Sequence, residues 1–134
     1  SFVLLGDKEN QMLYAILCYD SEEAVSAWTK EQDDAAMSKL AVVTENLAKA
    51  GKLGPVARLM NTTSATTVRK GRESMVLDGP FAETKEQLLG FFVVDGTSLD
   101  DAVETARALA SCYNSNGAFE IRPLRFFSPG IGIK

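Results

Sequence analysis

Two short segments of the chain are apolar without alternation, and they limit the possible folds more than any other feature. Residues 12–19 read MLYAILCY and residues 90–94 read GFFVV. A run this short and this uniformly apolar is typical of a β-strand that is buried on both faces, because a strand with one wet face alternates apolar and polar residues. The chain therefore needs material on both sides of these two strands.

Two helices are predicted by apolar residues at helical spacing. The first begins near Asp33 and ends at Gly51, a typical stop residue. Its apolar stripe is formed by Ala36, Leu40, Val43, Leu47 and Ala50. The second spans residues 98–112 and begins with a capping box of Ser98 and Asp101. Its apolar face is formed by Leu99, Ala102, Val103, Ala106, Leu109 and Ala110.

Shorter strands are predicted at residues 56–60, 65–68, 73–77 and 118–123, whereas residues 20–32 are polar and indicate no element. The segments 65–68 and 73–77 form the arms of a hairpin that turns at Lys70-Gly71. The order of strands and helices is that of a split β-α-β, ferredoxin-like α+β domain with an antiparallel sheet and two helices on one face.

This fold leaves one face of the sheet without helices, although the strands at 12–19 and 90–94 are apolar on both faces. A second copy of the same sheet is the simplest cover for the open face. We therefore expect a homodimer, in a dimeric α/β-barrel type of assembly.

The composition indicates one globular domain and excludes several classes of partner. The chain has 134 residues, of which 46% are hydrophobic. We predict a single domain at residues 12–134, preceded by an N-terminal extension at residues 1–11. The net charge of −4 argues against nucleic acid and anionic membranes as partners. No apolar run spans a bilayer and no signal peptide is evident, so a cytoplasmic protein is expected, with Cys18 and Cys112 as free thiols.

A longer motif then identifies a family resemblance. Residues 78–87 read DGPFAETKEQ, residues 65–69 read ATTVR and residues 119–123 read FEIRP. In these segments the chain resembles the DGPF family within the YCII-related superfamily. The resemblance implies a dimeric ferredoxin-like fold but little about a reaction. Some bacterial members are encoded beside, or fused to, alternative sigma factors, and certain relatives act on small lactone-type metabolites.

The chain departs from this family at one important position. Members commonly carry a histidine on the first helix, eleven residues before the glycine that ends it. Counting back from Gly51 leads to Leu40, and the chain contains no histidine at all. The proposed His-Asp pair of the superfamily therefore cannot operate, and the usual proton carrier at neutral pH is missing. Leu40 lies on the apolar stripe and is predicted to be part of the core.

Asp78 has two interpretations. In the structural one, its carboxylate accepts the backbone N–H of Phe81, and Gly79 suits the restricted position before Pro80. In the functional one, Asp78 lines a pocket as a general base or ligand acceptor. The structural interpretation is favoured, and Asp78 is kept as the candidate catalytic residue.

Three functions remain open. The first is a homodimer that binds a small molecule in a cleft beside the motif, with catalysis weak or lost. The second is an enzyme of small-metabolite chemistry that uses Asp78 with Tyr14 or Lys85, and the third is an interaction module in a sigma-factor pathway. No metal site and no cofactor are predicted. The candidate ligand-binding residues are Tyr14, Arg58, Gly79, Pro80, Phe81, Glu83, Thr84 and Lys85.

Overall fold

A computed structural model describes residues 3–4 and 12–133, which contain eight strands, three α-helices and one 3₁₀ helix. In chain order the elements are β1 (Val3–Leu4), β2 (Met12–Asp20), α1 (Glu22–Ser26), α2 (Lys30–Lys49), β3 (Leu53–Arg58), a 3₁₀ helix (Thr62–Ser64), β4 (Thr66–Val68), β5 (Val76–Asp78), β6 (Gln87–Gly96), α3 (Leu99–Ala110), β7 (Ala118–Pro123) and β8 (Phe126–Phe127).

The central unit is a four-stranded sheet with the order β3-β6-β2-β7, in which all neighbouring strands are antiparallel. This order, with α2 between β2 and β3 and α3 between β6 and β7, is the split β-α-β arrangement. The prediction of a ferredoxin-like α+β domain is confirmed. Strands β4 and β5 pair with each other in a separate hairpin, and β1 pairs with β8.

The polar stretch at residues 20–32 forms α1 and the start of α2, neither of which was predicted. Ser21 caps α1 by accepting a hydrogen bond from the Ala24 N–H. Thr29 and Gln32 form a complete capping box at the start of α2, so this helix begins at Lys30 and not near Asp33. The sequence pattern Thr-x-x-Gln indicates the start of a helix, but a prediction from apolar spacing alone does not use it.

The end of α2 is as predicted. The Gly51 N–H donates to the Ala48 carbonyl and the Lys52 N–H donates to the Leu47 carbonyl, a pair of bonds that satisfies the last carbonyls of the helix. The predicted stripe packs against the core through Leu40, Val43 and Leu47, which are partly buried, and Ala36 is buried outside the core cluster. Ala50 is exposed.

Helix α3 has the clearest sequence signal and the best-buried face. Ala102, Ala106 and Leu109 are buried, whereas Leu99 is 55% exposed and does not belong to the core. Ser98 caps the helix by accepting from the Asp101 N–H. In the predicted capping box, the Asp101 carboxylate would accept from the Ser98 N–H. It accepts instead from the Thr97 N–H, one residue earlier.

Several predicted boundaries shift by a few residues. The strand predicted at 56–60 is β3 at Leu53–Arg58, and the hairpin arm predicted at 73–77 is β5 at Val76–Asp78. The predicted N-terminal extension lies outside the described residues except for β1. Both cysteines are free, with Cys112 buried and Cys18 partly buried. In the part of the chain that is described, none of the helices has the length and apolar character needed to cross a membrane.

The core lies between the helices and one face of the sheet. Tyr14 and Ile16 of β2 lie opposite Val94 and Phe92 of β6, and all four side chains are buried against α3. Burial of one large apolar side chain contributes about 1.5–3 kcal/mol, so this cluster supplies much of the free energy of folding.

The opposite face of the sheet is also apolar at its centre. Ala15 and Leu17 lie opposite Val93 and Phe91, and they point away from the core because side chains alternate along a strand. Val93 is buried and the other three are partly buried. The prediction of two apolar faces is confirmed for these two strands.

One charged contact joins the ends of two elements. Lys52 follows α2, and its Nζ lies 2.8 Å from the Asp101 Oδ1 atom, with both side chains about three-quarters buried. The hydrogen bond from Lys52 is the main cause that holds the pKa of Asp101 below its ordinary value, and the Thr97 N–H adds to it.

This contact predicts a pH-dependent coupling. Since the folded pKa of Asp101 is lowered, its stabilisation is complete above the ordinary carboxyl pKa and is lost as the pH falls through the lowered value. Urea melts of Lys52→Met, Asp101→Asn and the double variant should give a coupling free energy of about 0.5–1 kcal/mol at neutral pH. The coupling should shrink as the pH falls below the ordinary carboxyl pKa of about 3.9. A coupling that is unchanged at low pH would contradict the assignment.

Candidate functional site

The motif at residues 78–87 begins where the β4–β5 hairpin ends. The Gly79 N–H donates to the Ala65 carbonyl at 2.7 Å, and the Thr67 hydroxyl donates to the Gly79 carbonyl at 2.8 Å. Gly79 has a φ of +92°, a backbone conformation that favours glycine. The corner is therefore closed by Gly79 and Thr67.

Asp78 takes no part in closing this corner through its side chain. The predicted hydrogen bond from the Phe81 N–H to the Asp78 carboxylate is not formed, and Asp78 is exposed. Among the described residues, no side-chain hydrogen bond or ion pair of Asp78 is present. That part of the structural interpretation is wrong. The hydrogen bonds of the corner are made instead with Ala65 and Thr67, at the first strand of the hairpin.

The candidate ligand-binding residues fall in three places. Tyr14 is 1% exposed in the core, with its hydroxyl 3.7 Å from the Met12 sulfur. Arg58 lines a cavity on the helix side of the sheet. The remaining candidates lie on the motif loop and line neither of the two cavities described below; they are Gly79, Pro80, Phe81, Glu83, Thr84 and Lys85.

The first cavity, which we call the apolar cavity, has a volume of about 280 Å³ and lies between α1, α2 and the sheet. Its wall is formed largely by apolar and aromatic side chains, among them Trp28, Met37, Leu40, Phe92, Tyr113 and Phe119. A mainly apolar wall with a few polar groups is typical of sites for small molecules.

A β-bulge shapes one side of the apolar cavity. The pairing of β2 with β6 shifts between Cys18 and Tyr19, so that Leu89 has no partner in the register. A Cβ atom at Gly90 would lie 2.5 Å from the Ala57 carbonyl oxygen, so the strands approach closely only because this residue is glycine. Bulges of this kind often lie beside functional sites.

Two groups in this wall, the Cys18 thiol and the Tyr113 phenol, hold their protons at neutral pH. Burial raises the pKa of the Cys18 thiol to about 12. Burial is also the main cause that raises the pKa of Tyr113 to about 12, and the Arg58 charge opposes that rise. Cys18 and Tyr113 can therefore donate weak hydrogen bonds but are unsuited to accept a proton near pH 7.

The charged side chains of the apolar cavity lie at its edge. Arg58 is 61% exposed, and its Nη2 atom lies 3.8 Å from the Asp33 carboxylate, while its Nη1 atom lies 4.0 Å from the Met37 sulfur. Asp20 also lines the cavity, and its carboxylate accepts from the Ser21 N–H. The interior is thus apolar and the rim is polar.

Leu40, which the sequence resemblance matched to a histidine of related proteins, lies in this wall. It packs against the core and is partly buried, so the prediction that it belongs to the core is confirmed only in part, because one side of Leu40 borders the cavity.

Comparison with known proteins decides the family. The model of the YCII-related domain matches residues 12–128. The chain belongs to the YCII-related family. It is also 53% identical over 120 residues to an uncharacterised protein of Rhizobium meliloti (strain 1021), which covers 89% of this chain and 97% of that protein.

This YCII-related chain connects its motif to the cavity wall through Glu22, at the start of α1. The Glu22 carboxylate accepts from the Thr62 N–H at 2.7 Å and from the Thr62 hydroxyl at 2.5 Å. The Glu22 N–H donates to the Gln87 side chain, whose amide donates to the Thr84 carbonyl. These bonds hold α1, and with it Val25 of the cavity wall, against the last residues of the motif.

A second cavity lies on the other side of Trp28 and Tyr113, and we call it the polar cavity. It has a volume of about 400 Å³ between α2 and the end of α3. Trp28 and Tyr113 line both cavities, with their ring centroids 6.4 Å apart. The polar cavity is also lined by Gln32, Ala35, Ala36, Lys39, Ser111, Cys112 and Asn114.

Most residues of these walls were not predicted as site residues. Trp28 and Tyr113 are amphipathic aromatic residues near polar stretches, which is a usable signal for a partly open site. The hydrogen bond between Glu22 and Gln87 has no sequence signal, because the two residues are sixty-five positions apart. Within the described residues, no three His, Cys, Asp or Glu side chains are grouped closely enough to hold a metal ion.

The corner predicts a contrast between two adjacent substitutions. Asp78→Ala and Asp78→Asn should change the free energy of unfolding by less than about 0.5 kcal/mol, because the carboxylate is exposed and unbonded. Gly79→Ala should cost about 1 kcal/mol or more, because alanine is strained at positive φ. Urea melts test both. A loss of more than about 1 kcal/mol in Asp78→Ala, with Gly79→Ala neutral, would contradict this account of the corner.

Proposed function

We propose that this YCII-related protein binds a small, largely apolar molecule in the apolar cavity. The observation that carries the proposal is the cavity of about 280 Å³ with an apolar and aromatic wall that includes Leu40. Its volume is close to the lower end of the range of ligand pockets, about 300–1,000 Å³.

The chemistry of the wall favours binding over acid-base catalysis. Leu40 replaces the proton carrier with a hydrocarbon side chain, and the Cys18 thiol and the Tyr113 phenol hold their protons because each pKa is about 12. Arg58 at the rim can hold an acceptor oxygen of the ligand by a charge-assisted hydrogen bond. The proposed site thus differs from the cleft beside the motif that the sequence suggested.

The motif itself has a supporting role in this proposal. We place the chain in the DGPF subgroup on the strength of residues 78–87, and we propose that Thr84 and Gln87 position α1 as a wall of the cavity. The enzyme hypothesis based on Asp78 with Tyr14 or Lys85 gains no support, since Tyr14 is buried in the core and Asp78 is exposed.

A fluorescence titration tests the proposal. Trp28 is the single tryptophan and lines the cavity, so its emission reports on occupancy. Binding of 1-decanol should change the emission, and Leu40→Phe should weaken the affinity at least about tenfold, because the larger ring fills the space.

Val42→Phe is the matched control, since Val42 is on the same helix, is 60% exposed and does not line the cavity. It should bind 1-decanol as the wild type does. Thermal melts establish that both variants are folded. Equal affinity in the wild type and in Leu40→Phe would contradict the proposed site.

We also propose that the protein is a homodimer. The support is the second apolar face of the sheet, at Ala15, Leu17, Phe91 and Val93, which lies opposite the face that α2 and α3 cover. A stable interface of this kind buries about 1,200–2,000 Å² in total. Sheet-to-sheet contact between two copies would cover the apolar face that the helices leave open.

Light scattering tests the dimer. The wild type should have the mass of two chains at micromolar concentration, and Leu17→Lys should give monomers because it places a charge in the proposed interface. Circular dichroism must show that the variant is folded. A monomeric wild type would contradict the dimer, and so would a folded Leu17→Lys variant that stays dimeric.

A second candidate function, interaction with another protein, is favoured by the hairpin. Val68 and Val76 of the hairpin are 62% and 66% exposed, and Phe81 of the motif loop that follows is 77% exposed. Apolar exposure in one region is a feature of interaction surfaces. If the hairpin binds a sigma factor, as the resemblance suggests, Val76→Lys should abolish that binding while leaving 1-decanol binding unchanged.

A further inference from the structure

The helix α2 contains three lysines, and they differ in their partners. Lys30 lies 3.0 Å from Asp34, and Lys49 lies 3.2 Å from Glu45, each as a pair within the helix. Lys39 has no acid at the corresponding positions, where the sequence has alanines and valines; these neighbours are Ala35, Ala36, Val42 and Val43. Within the described residues, the Lys39 ammonium forms no ion pair.

Lys39 is the charged residue among those that line the polar cavity. The Lys39 charge also acts on a thiol in the wall of this cavity. Burial raises the pKa of the Cys112 thiol in the same wall, and the positive charge of Lys39 opposes that rise. Hydrogen-bonding side chains of Gln32, Ser111 and Asn114 share the wall with it. The polar cavity therefore offers one unpaired cation together with neutral polar groups.

The two cavities are neighbours with opposite character. Trp28 and Tyr113 line both, and their rings lie at a tilt of 30° with centroids 6.4 Å apart, within the range of contacting aromatic pairs. Trp28 belongs to the short link between α1 and α2, where its N–H donates to the Val25 carbonyl. Trp28 and Tyr113 therefore form a wall that is common to the two cavities.

We propose that the two cavities form one site for an amphiphilic organic acid, with its hydrocarbon part in the apolar cavity and its carboxylate at Lys39 in the polar cavity. The proposal rests on the proposed function and names the ligand class for that site. An unpaired ammonium beside an apolar space matches a single negative charge at the end of an apolar body. The side-chain amides of Gln32 and Asn114, which line the same cavity, can donate hydrogen bonds to a carboxylate there.

Three probes with one chain length separate the contributions of chain and charge. Decanoate, 1-decanol and decylammonium are titrated against the wild type, with Trp28 emission as the signal. Decanoate should bind at least about fivefold more tightly than 1-decanol, and decylammonium should bind most weakly, because only the anion is attracted to Lys39. The advantage of decanoate should fall as salt is added.

Two lysine variants complete the design. Lys39→Gln should weaken decanoate about three- to tenfold and leave 1-decanol within about twofold, since only the charge is removed. Lys49→Gln is the matched control, because it removes a lysine of the same helix that does not line either cavity. It should leave all three affinities unchanged.

The outcomes distinguish the two proposals. If decanoate and 1-decanol bind equally, or if Lys39→Gln leaves decanoate unchanged, the organic-acid proposal is wrong while binding in the apolar cavity stands. If none of the three probes changes Trp28 emission, both proposals are wrong. If decanoate loses affinity in Lys39→Gln and in Leu40→Phe, but not in Lys49→Gln, the two-part site is supported.

Discussion

The structure depends on the contact of β2 with β6, whose side chains meet in register on both faces of the sheet. Tyr14 lies opposite Val94 and Ile16 lies opposite Phe92, and these four are buried together with Leu109 of α3. A slip of one residue would turn every one of these side chains to the other face, so burial on the helix side fixes the register. The positions of α2, α3 and the cavity wall all follow from that register.

The same pair of strands explains why a cavity exists at one end of the core. Close to Tyr14 and Val94 the space below α3 is filled. Towards Cys18 and Gly90 the side chains become small, and the register shifts at the bulge. Large side chains from α2 and from the aromatic cluster border this space, but they do not fill it. The cavity is thus a consequence of small residues on the central strands and not of a separate loop.

Sequence reasoning predicted most of the fold, and the reason is that its signals are local. The stripe of α2, the cap at Ser98 and the two-faced apolar strands each occupy a few neighbouring residues. The start of α2 was missed although its Thr29–Gln32 box was visible, because the apolar spacing begins only at Ala36. The site was predicted much less well. Arg58 lines the apolar cavity, whereas Asp78 and the motif loop are exposed. Tertiary packing decides which strand end lies beside which helix, and local sequence patterns do not show this.

The four methionines allow a direct measurement of where a ligand binds. Met37 lines the apolar cavity, whereas Met60 and Met75 are 82% and 55% exposed, on the loop after β3 and on the hairpin. Methyl-labelled methionine gives one NMR signal for each residue, and titration with 1-decanol should shift the Met37 signal and leave those of Met60 and Met75 in place. Shifts at Met60 or Met75 with Met37 unchanged would place the ligand near the motif and hairpin, and would contradict a binding site in the apolar cavity.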